Sequence, residues 1–123
     1  MRPRPVVAIA LCLLVGPLGR APAAWAHAFL DHAEPRVGSS VRASPDAVRL
    51  TFTEPVEKDF SRVEVLDAHD HPVATGPLEH PDPPVLRLTL PSLPPGDYSV
   101  HWTVTSVDTH QTEGRFEFTV SAP

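Results

Sequence analysis

Five short runs in which every second residue is apolar decide what this chain can become. They are Val48-Leu50-Phe52, Val63-Val65, Leu86-Leu88-Leu90, Tyr98-Val100-Trp102-Val104 and Phe116-Phe118-Val120. A period of two sends alternate side chains to opposite faces of a strand, so each run offers one apolar face and one polar face. Turn-forming residues separate the runs: Pro35, Gly38 and Pro45, then 67–72, 76–84 and 91–96. Twelve prolines follow residue 26. They would break most helices, but between strands they are tolerated. One-faced strands at this spacing predict an all-β fold, a small antiparallel Greek-key barrel or immunoglobulin-like β-sandwich.

The first 26 residues read differently. Arg2 and Arg4 form a basic start, and Val6 to Val15 is an apolar run of ten residues. A membrane span needs about 20. Ala24-Trp25-Ala26 then supplies a small-x-small cleavage site. Cys12 lies inside the apolar run behind Leu11, where a lipidated cysteine would want a small residue before it. The pattern predicts a signal peptide over 1–26 and a single domain over 27–123. Export would deliver that domain to a periplasm, a cell-wall side or the extracellular space.

Removing the signal sharpens the charge and the chemistry. Seven basic residues then face fifteen acidic ones, a formal net charge of −8. Such a balance argues against nucleic acid or an anionic membrane as partner and is compatible with a cation. The chain's one Cys and one Met, Cys12 and Met1, fall in the signal. No disulfide can then stabilise the domain, which must rely on its apolar core. No thiolate or thioether remains for the soft Cu(I) ion, so no Cu(I) site is expected. Any metal site must use nitrogen and oxygen, a set that suits Cu(II), Zn(II) or Ni(II), with Cu(II) bound tightest.

All seven histidines lie after residue 26, and His27 would be the first residue of the cleaved chain. A free α-amine and its own imidazole chelate a metal as a six-membered ring. A second imidazole completes a T-shaped set of three nitrogens, and a carboxylate fills the remaining in-plane position, an arrangement suited to tetragonal Cu(II). Asp108-Thr109-His110 offers both missing groups, directly after the most strongly patterned strand. Asp108 and His110 are two apart, so in extended chain they point to one side. The start of the chain would then have to lie against the end of that strand.

These residues also carry a family resemblance. His27-Ala28-x-Leu30, Pro35-x-x-Gly38 and Val48-x-Leu50-x-Phe52-Thr53-Glu54-Pro55-Val56 resemble the first half of the CopC copper-resistance family. Leu93-Pro94-Pro95-Gly96-x-Tyr98 through Ser106-x-Asp108-x-His110-x-x-x-Gly114-x-Phe116-x-Phe118-x-Val120 is similar to the second half. The resemblance implies a secreted Greek-key domain that binds one Cu(II) per chain for copper resistance or homeostasis. It places the ligands on His27, by amine and imidazole, and on His110 and Asp108. Glu54 would lie at or beside the site, in a supporting position. A membrane copper transporter of the CopD type is the implied partner, and a monomer is expected. The family's Asp-Gly-His reads Asp108-Thr109-His110 here, and the methionine-rich Cu(I) segment of some members is missing.

Two other classes compete with a non-enzymatic copper carrier. An N-terminal histidine brace also serves copper monooxygenases, which keep a position open for oxygen and cycle through Cu(I). Asp108 would occupy an in-plane position and favour Cu(II). The cleaved chain has one Trp and one Tyr, little for a flat sugar-binding face. A metal-free structural β-sandwich is the third class. Asp67-Ala68-His69-Asp70-His71 carries His-x-His spacing, but it ends at Pro72 and reads first as a polar turn. His80 reads as a solvated loop residue, His101 as a sheet-surface residue, and His32 stays unassigned.

Overall fold

Each of the five alternating runs forms a strand. The computed structural model describes residues 2, 3 and 27–122; apart from Arg2 and Pro3, the expected signal peptide lies outside the described residues. The elements run β1 (Leu30–Glu34), β2 (Ser40–Val41), β3 (Ala47–Phe52), a single 3-10 turn (Lys58–Phe60), β4 (Arg62–Leu66), β5 (Leu78–Asp82), β6 (Val85–Thr89), β7 (Gly96–Thr105) and β8 (Gln111–Val120). They form two four-stranded sheets, ordered β1-β3-β6-β5 and β2-β8-β7-β4. All pairings are antiparallel except the short β2 against β8. The predicted all-β class stands, and the architecture is a sandwich of two sheets.

The alternation does the packing. Val48, Leu50 and Phe52 of β3 point inward with Leu86 and Leu88 of β6, against Tyr98, Val100, Trp102 and Val104 of β7 and Phe116, Phe118 and Val120 of β8. Phe52 meets Trp102 edge-to-face with ring centroids 5.2 Å apart, joining the two sheets. Burying such a side chain stabilises the fold by roughly 1.5–3 kcal/mol. Trp102 needs space opposite it. A Cβ on its cross-strand partner Gly114 would come within 2.5 Å of the indole, so only glycine fits there. The Tyr98 hydroxyl donates to the Pro94 carbonyl at 2.6 Å and fixes the corner that leads into β7.

Besides the two-residue β2, two strands carry no alternation and escape the pattern. β1 is Leu-Asp-His-Ala-Glu, with only Ala33 buried, and β5 is Leu-Glu-His-Pro-Asp, with nothing buried. Both lie at sheet edges, where a strand is held by backbone bonding on one side and needs no apolar face. Pro81 within β5 fits that edge position. His80 is therefore on a strand instead of in a loop, with Nε2 2.9 Å from the Pro83 carbonyl oxygen.

Candidate metal centre

At one end of the sandwich the start of the described domain meets the β7–β8 turn. β1 pairs with β3, but the register slips between Leu30 and His32, leaving Asp31 as an extra residue. Such a bulge bends the strand and re-aims what precedes it. Ala28 is fully buried in the core, so the chain cannot swing outward there without opening a cavity. Its carbonyl accepts a bond from the Thr112 hydroxyl of β8 at 2.5 Å. Next to it, the Phe29 amide donates to Thr53 Oγ1 at 3.0 Å, and the Thr53 amide donates back to the Phe29 carbonyl at 2.8 Å.

His27 consequently sits beside His110. The ring centroids are 4.6 Å apart and the planes lie at 74°. Phe29 flanks His27 at 6.2 Å. The two imidazoles come from residues 83 positions apart, brought together by β1 and the β7–β8 turn.

The turn is built on Ser106, whose side chain is buried. Its amide donates to the His110 carbonyl at 2.8 Å, and the Thr109 amide donates to the Ser106 carbonyl at 2.9 Å. The hydroxyl accepts from the His110 amide at 3.3 Å and gives its one proton to Asp108 Oδ1 in a short hydrogen bond. That bond, more than the neighbouring His110, holds the Asp108 carboxyl below its ordinary value; partial burial opposes the shift. The Asp108 carboxylate also lies 3.5 Å from His110 Nδ1. Thr109 bridges the two at φ 74°, in the left-handed region that glycine fills without strain.

His27 is thus brought beside His110, and His110 beside Asp108, a series of pairwise contacts that runs from His27 to His110 to Asp108. Among the described residues, no three His, Cys, Asp or Glu side chains already converge on a single point that could hold a metal. In the full chain the His27 nitrogen is a peptide nitrogen bonded to Ala26, so a free amine there would require the chain to begin at His27. The donor set otherwise fits a hard-to-borderline ion: imidazoles and a carboxylate. Glu54 follows Thr53 at the same end of the molecule, but its side chain is exposed and bonded to none of these residues.

The other histidines stand apart. His32 Nδ1 pairs with Asp31 at 2.7 Å on the surface. His101 is half-buried on β7, 3.2 Å from the Ser99 hydroxyl. His69 and His71 face each other at 6.1 Å on the turn after β4. Sequence reasoning missed Ser106, Thr53 and Thr112. Two of them had a signal: Ser106 continues the inward parity of Val100, Trp102 and Val104, and Thr112 that of Phe116 and Phe118. A polar residue at an inward position needs a partner. Thr53 lies beyond the end of β3 and carried no such mark.

Comparison with known proteins agrees with the fold described above. The CopC domain model matches residues 30–121. Protein YobA of Escherichia coli K12 is 38% identical over 102 residues, covering 80% of this chain and 82% of YobA. The crystal structure of CopC from Methylosinus trichosporium OB3b superposes with a TM-score of 0.72 at 37% identity, covering 78% of this chain and 95% of that one. PcoC from Escherichia coli, described as a methionine-rich copper resistance protein, superposes with a TM-score of 0.70 at 32% identity, covering 77% and 99%.

Proposed function

The chain belongs to the CopC domain family, and from that premise we propose that it is a copper-binding protein of copper resistance or homeostasis. Its form cleaved after Ala26 takes up one Cu(II) through the amine and imidazole of His27, the imidazole of His110 and the carboxylate of Asp108. The observation that carries this reading is the edge-to-face approach of His27 and His110 at 4.6 Å, with the Asp108 carboxylate 3.5 Å from His110 Nδ1. Glu54 plays a supporting part, close enough in sequence to Thr53 to reach the bound ion through water or to accept a bond from the amine.

With Asp108 as a ligand, a bound copper ion would be stabilised as Cu(II) against reduction, because a carboxylate is a hard donor. The protein is accordingly a carrier or scavenger and not an oxidase. With no Met or Cys after residue 12, it has no soft-ligand site for Cu(I). It works as an exported monomer, in a periplasm, on the cell-wall side or in the extracellular space, and passes copper to a membrane transporter of the CopD type.

The test is a Cu(II) competition titration on two proteins, one beginning at His27 and one with a single alanine added before it. Trp102, the one Trp after residue 26, reports binding by quenching. Tight one-to-one binding by the first and a large loss in the second is expected. Equal affinity would remove the amine from the ligand set and send the search for a site elsewhere.

A further inference from the structure

The Ala28 carbonyl and the Phe29 amide are the two poles of one peptide group. Thr112 donates its hydroxyl proton to the oxygen at 2.5 Å, and Thr53 accepts from the nitrogen with its own hydroxyl oxygen at 3.0 Å. Thr112 belongs to β8 of one sheet, and Thr53 directly follows β3 of the other. A single peptide plane is therefore gripped at both ends by hydroxyls from opposite sheets, one residue from His27. We propose that Thr53 and Thr112 are positioning residues for the copper chelate: together they fix the plane from which the amine and imidazole of His27 project toward His110. The proposal rests on the copper-binding reading above.

The physical case is one of preorganisation. The first residues of a domain fray unless something ties them down. Ordering a backbone residue costs about 1–2 kcal/mol, and a ligand that must order its own chelate loses affinity by that amount. With the 28–29 plane held, only the few torsions between it and the His27 nitrogen remain to be fixed when metal arrives. Three further contacts exclude a loose hinge at this point. Ala28 is fully buried, the Thr53 amide returns a bond to the Phe29 carbonyl, and Leu30 pairs with Phe52. A main-chain bond alone would tether the strand to one sheet. The Thr112 hydroxyl adds the second sheet, the Thr53 hydroxyl occupies the amide that the main chain leaves open, and threonine suits both positions, since a hydroxyl can donate in one place and accept in the other.

The experiment uses the protein beginning at His27 and compares Thr112→Val, Thr112→Ser, Thr53→Val and wild type. Valine keeps the shape and removes the hydroxyl; serine keeps the hydroxyl. Each sample is measured for Cu(II) affinity and dissociation rate, for the Cu(II) electron paramagnetic resonance spectrum, and, without metal, for amide exchange at Phe29 and melting temperature. Each valine variant should bind Cu(II) up to about tenfold more weakly, the loss expected for one hydrogen bond, chiefly through faster release. Thr112→Ser should recover wild-type values. Phe29 should exchange faster in Thr53→Val even without copper, while the paramagnetic spectrum keeps its three-nitrogen pattern.

Valine variants that melt earlier yet bind and release Cu(II) as wild type does would overturn the positioning role and leave the copper reading intact. Wild type that fails to bind Cu(II) would overturn the copper reading, and the positioning role with it, even if Phe29 is well protected. Should Thr112→Val fail to fold, Thr53→Val decides the matter, because its exposed position and retained backbone bond spare the core.

Discussion

Two turns of this molecule share one backbone and differ in what they do with it. In the turn after β4 the Asp67 amide donates to the His71 carbonyl and the Asp70 amide to the Asp67 carbonyl, at 2.9 and 3.0 Å. In the turn between β7 and β8, Ser106, Thr109 and His110 make the same two bonds at 2.8 and 2.9 Å. Both place a left-handed residue fourth, Asp70 at φ 61° and Thr109 at φ 74°, and both end on a histidine. The difference lies at the first position. Asp67 caps its turn with its own carboxylate, Oδ1 accepting from the His69 and His71 amides at 2.8 and 3.0 Å. Ser106 caps with a buried hydroxyl instead, and the carboxylate moves to Asp108, facing outward and bonded by that hydroxyl. One turn uses its acid to hold itself together; the other has an acid left over for a ligand. Among the described residues, moreover, it is the second turn that meets the segment opening at His27, through His110.

The contrast is broken most forcefully by removing one histidine from each turn. His110→Ala in the protein beginning at His27 should lower Cu(II) affinity by more than the roughly 10–100-fold typical of losing a supporting group. His71→Ala, in the turn of the same shape, should change it less than twofold. A competition titration reads both. If the two losses were alike, backbone shape and a nearby acid would suffice for a site, and the approach of His27 would count for nothing.

A smaller effect isolates the capping residue. Ser106→Ala leaves the His110 amide without its side-chain acceptor in a buried position and frees the Asp108 carboxylate. The expected cost is about 1–3 kcal/mol of stability and, by analogy with groups that orient metal ligands, on the order of tenfold in Cu(II) affinity. Chemical denaturation and the same titration measure the two losses. Asp67→Ala should lower stability with no change in copper binding. A Ser106→Ala protein that bound copper normally would show that Asp108 needs no orienting.

How much of this was legible in the sequence follows from where the physics is local. Period two in Val48-Leu50-Phe52 or Tyr98 to Val104 is a direct imprint of burial on one face, so those strands and the fold class could be read off. β1 and β5 could not, because an edge strand held by backbone bonds leaves no such imprint in side chains like those of Asp31, His32 or His80. The meeting of His27, His110 and Asp108 in successive pairs was legible in part. Asp108 and His110 stand out as a pair beyond a strong strand, and His27 stands out behind Ala24-Trp25-Ala26. That the stretches from Asp67 to His71 and from Ser106 to His110 would adopt the same turn with opposite uses of the acid was not legible. It depends on Ser106 being buried, and on Thr53 and Thr112 reaching one peptide from two sheets. These are long-range facts that no window of sequence contains.

Acid titration separates the two carboxylates further. Both sit below their ordinary range, Asp67 chiefly through the His71 and His69 backbone amides and Asp108 chiefly through the Ser106 hydroxyl. A carboxylate whose folded value is depressed contributes stability above its unfolded value, near 4. That contribution is lost as pH falls through the folded value. In the metal-free protein, carboxyl NMR shifts should therefore show both groups titrating low. In Ser106→Ala, Asp108 should return toward the ordinary range while Asp67 stays where it was. Movement of both together would mean that overall charge, and not the local bond, sets their values.

The finest test concerns the left-handed residue itself. A β-branched residue at φ 74° is strained by about 1–2 kcal/mol, whereas glycine there is unstrained but loses about 0.5–1 kcal/mol more chain entropy on folding. The balance favours Thr109→Gly by roughly 0.5–1 kcal/mol, a rise of a few degrees in melting temperature for a domain of this length. Asp70→Gly should gain almost nothing, because a short polar side chain already tolerates that conformation. Neither change touches a ligand, so Cu(II) affinity should hold within twofold in both. If Thr109→Gly stabilised the domain yet weakened copper binding, the strain at Thr109 would be part of the site, keeping Asp108 and His110 at the angle the ion requires. If it stabilised without weakening, the threonine is a tolerated departure from the glycine that the backbone prefers, and the direction of the ligands is set by Ser106 alone.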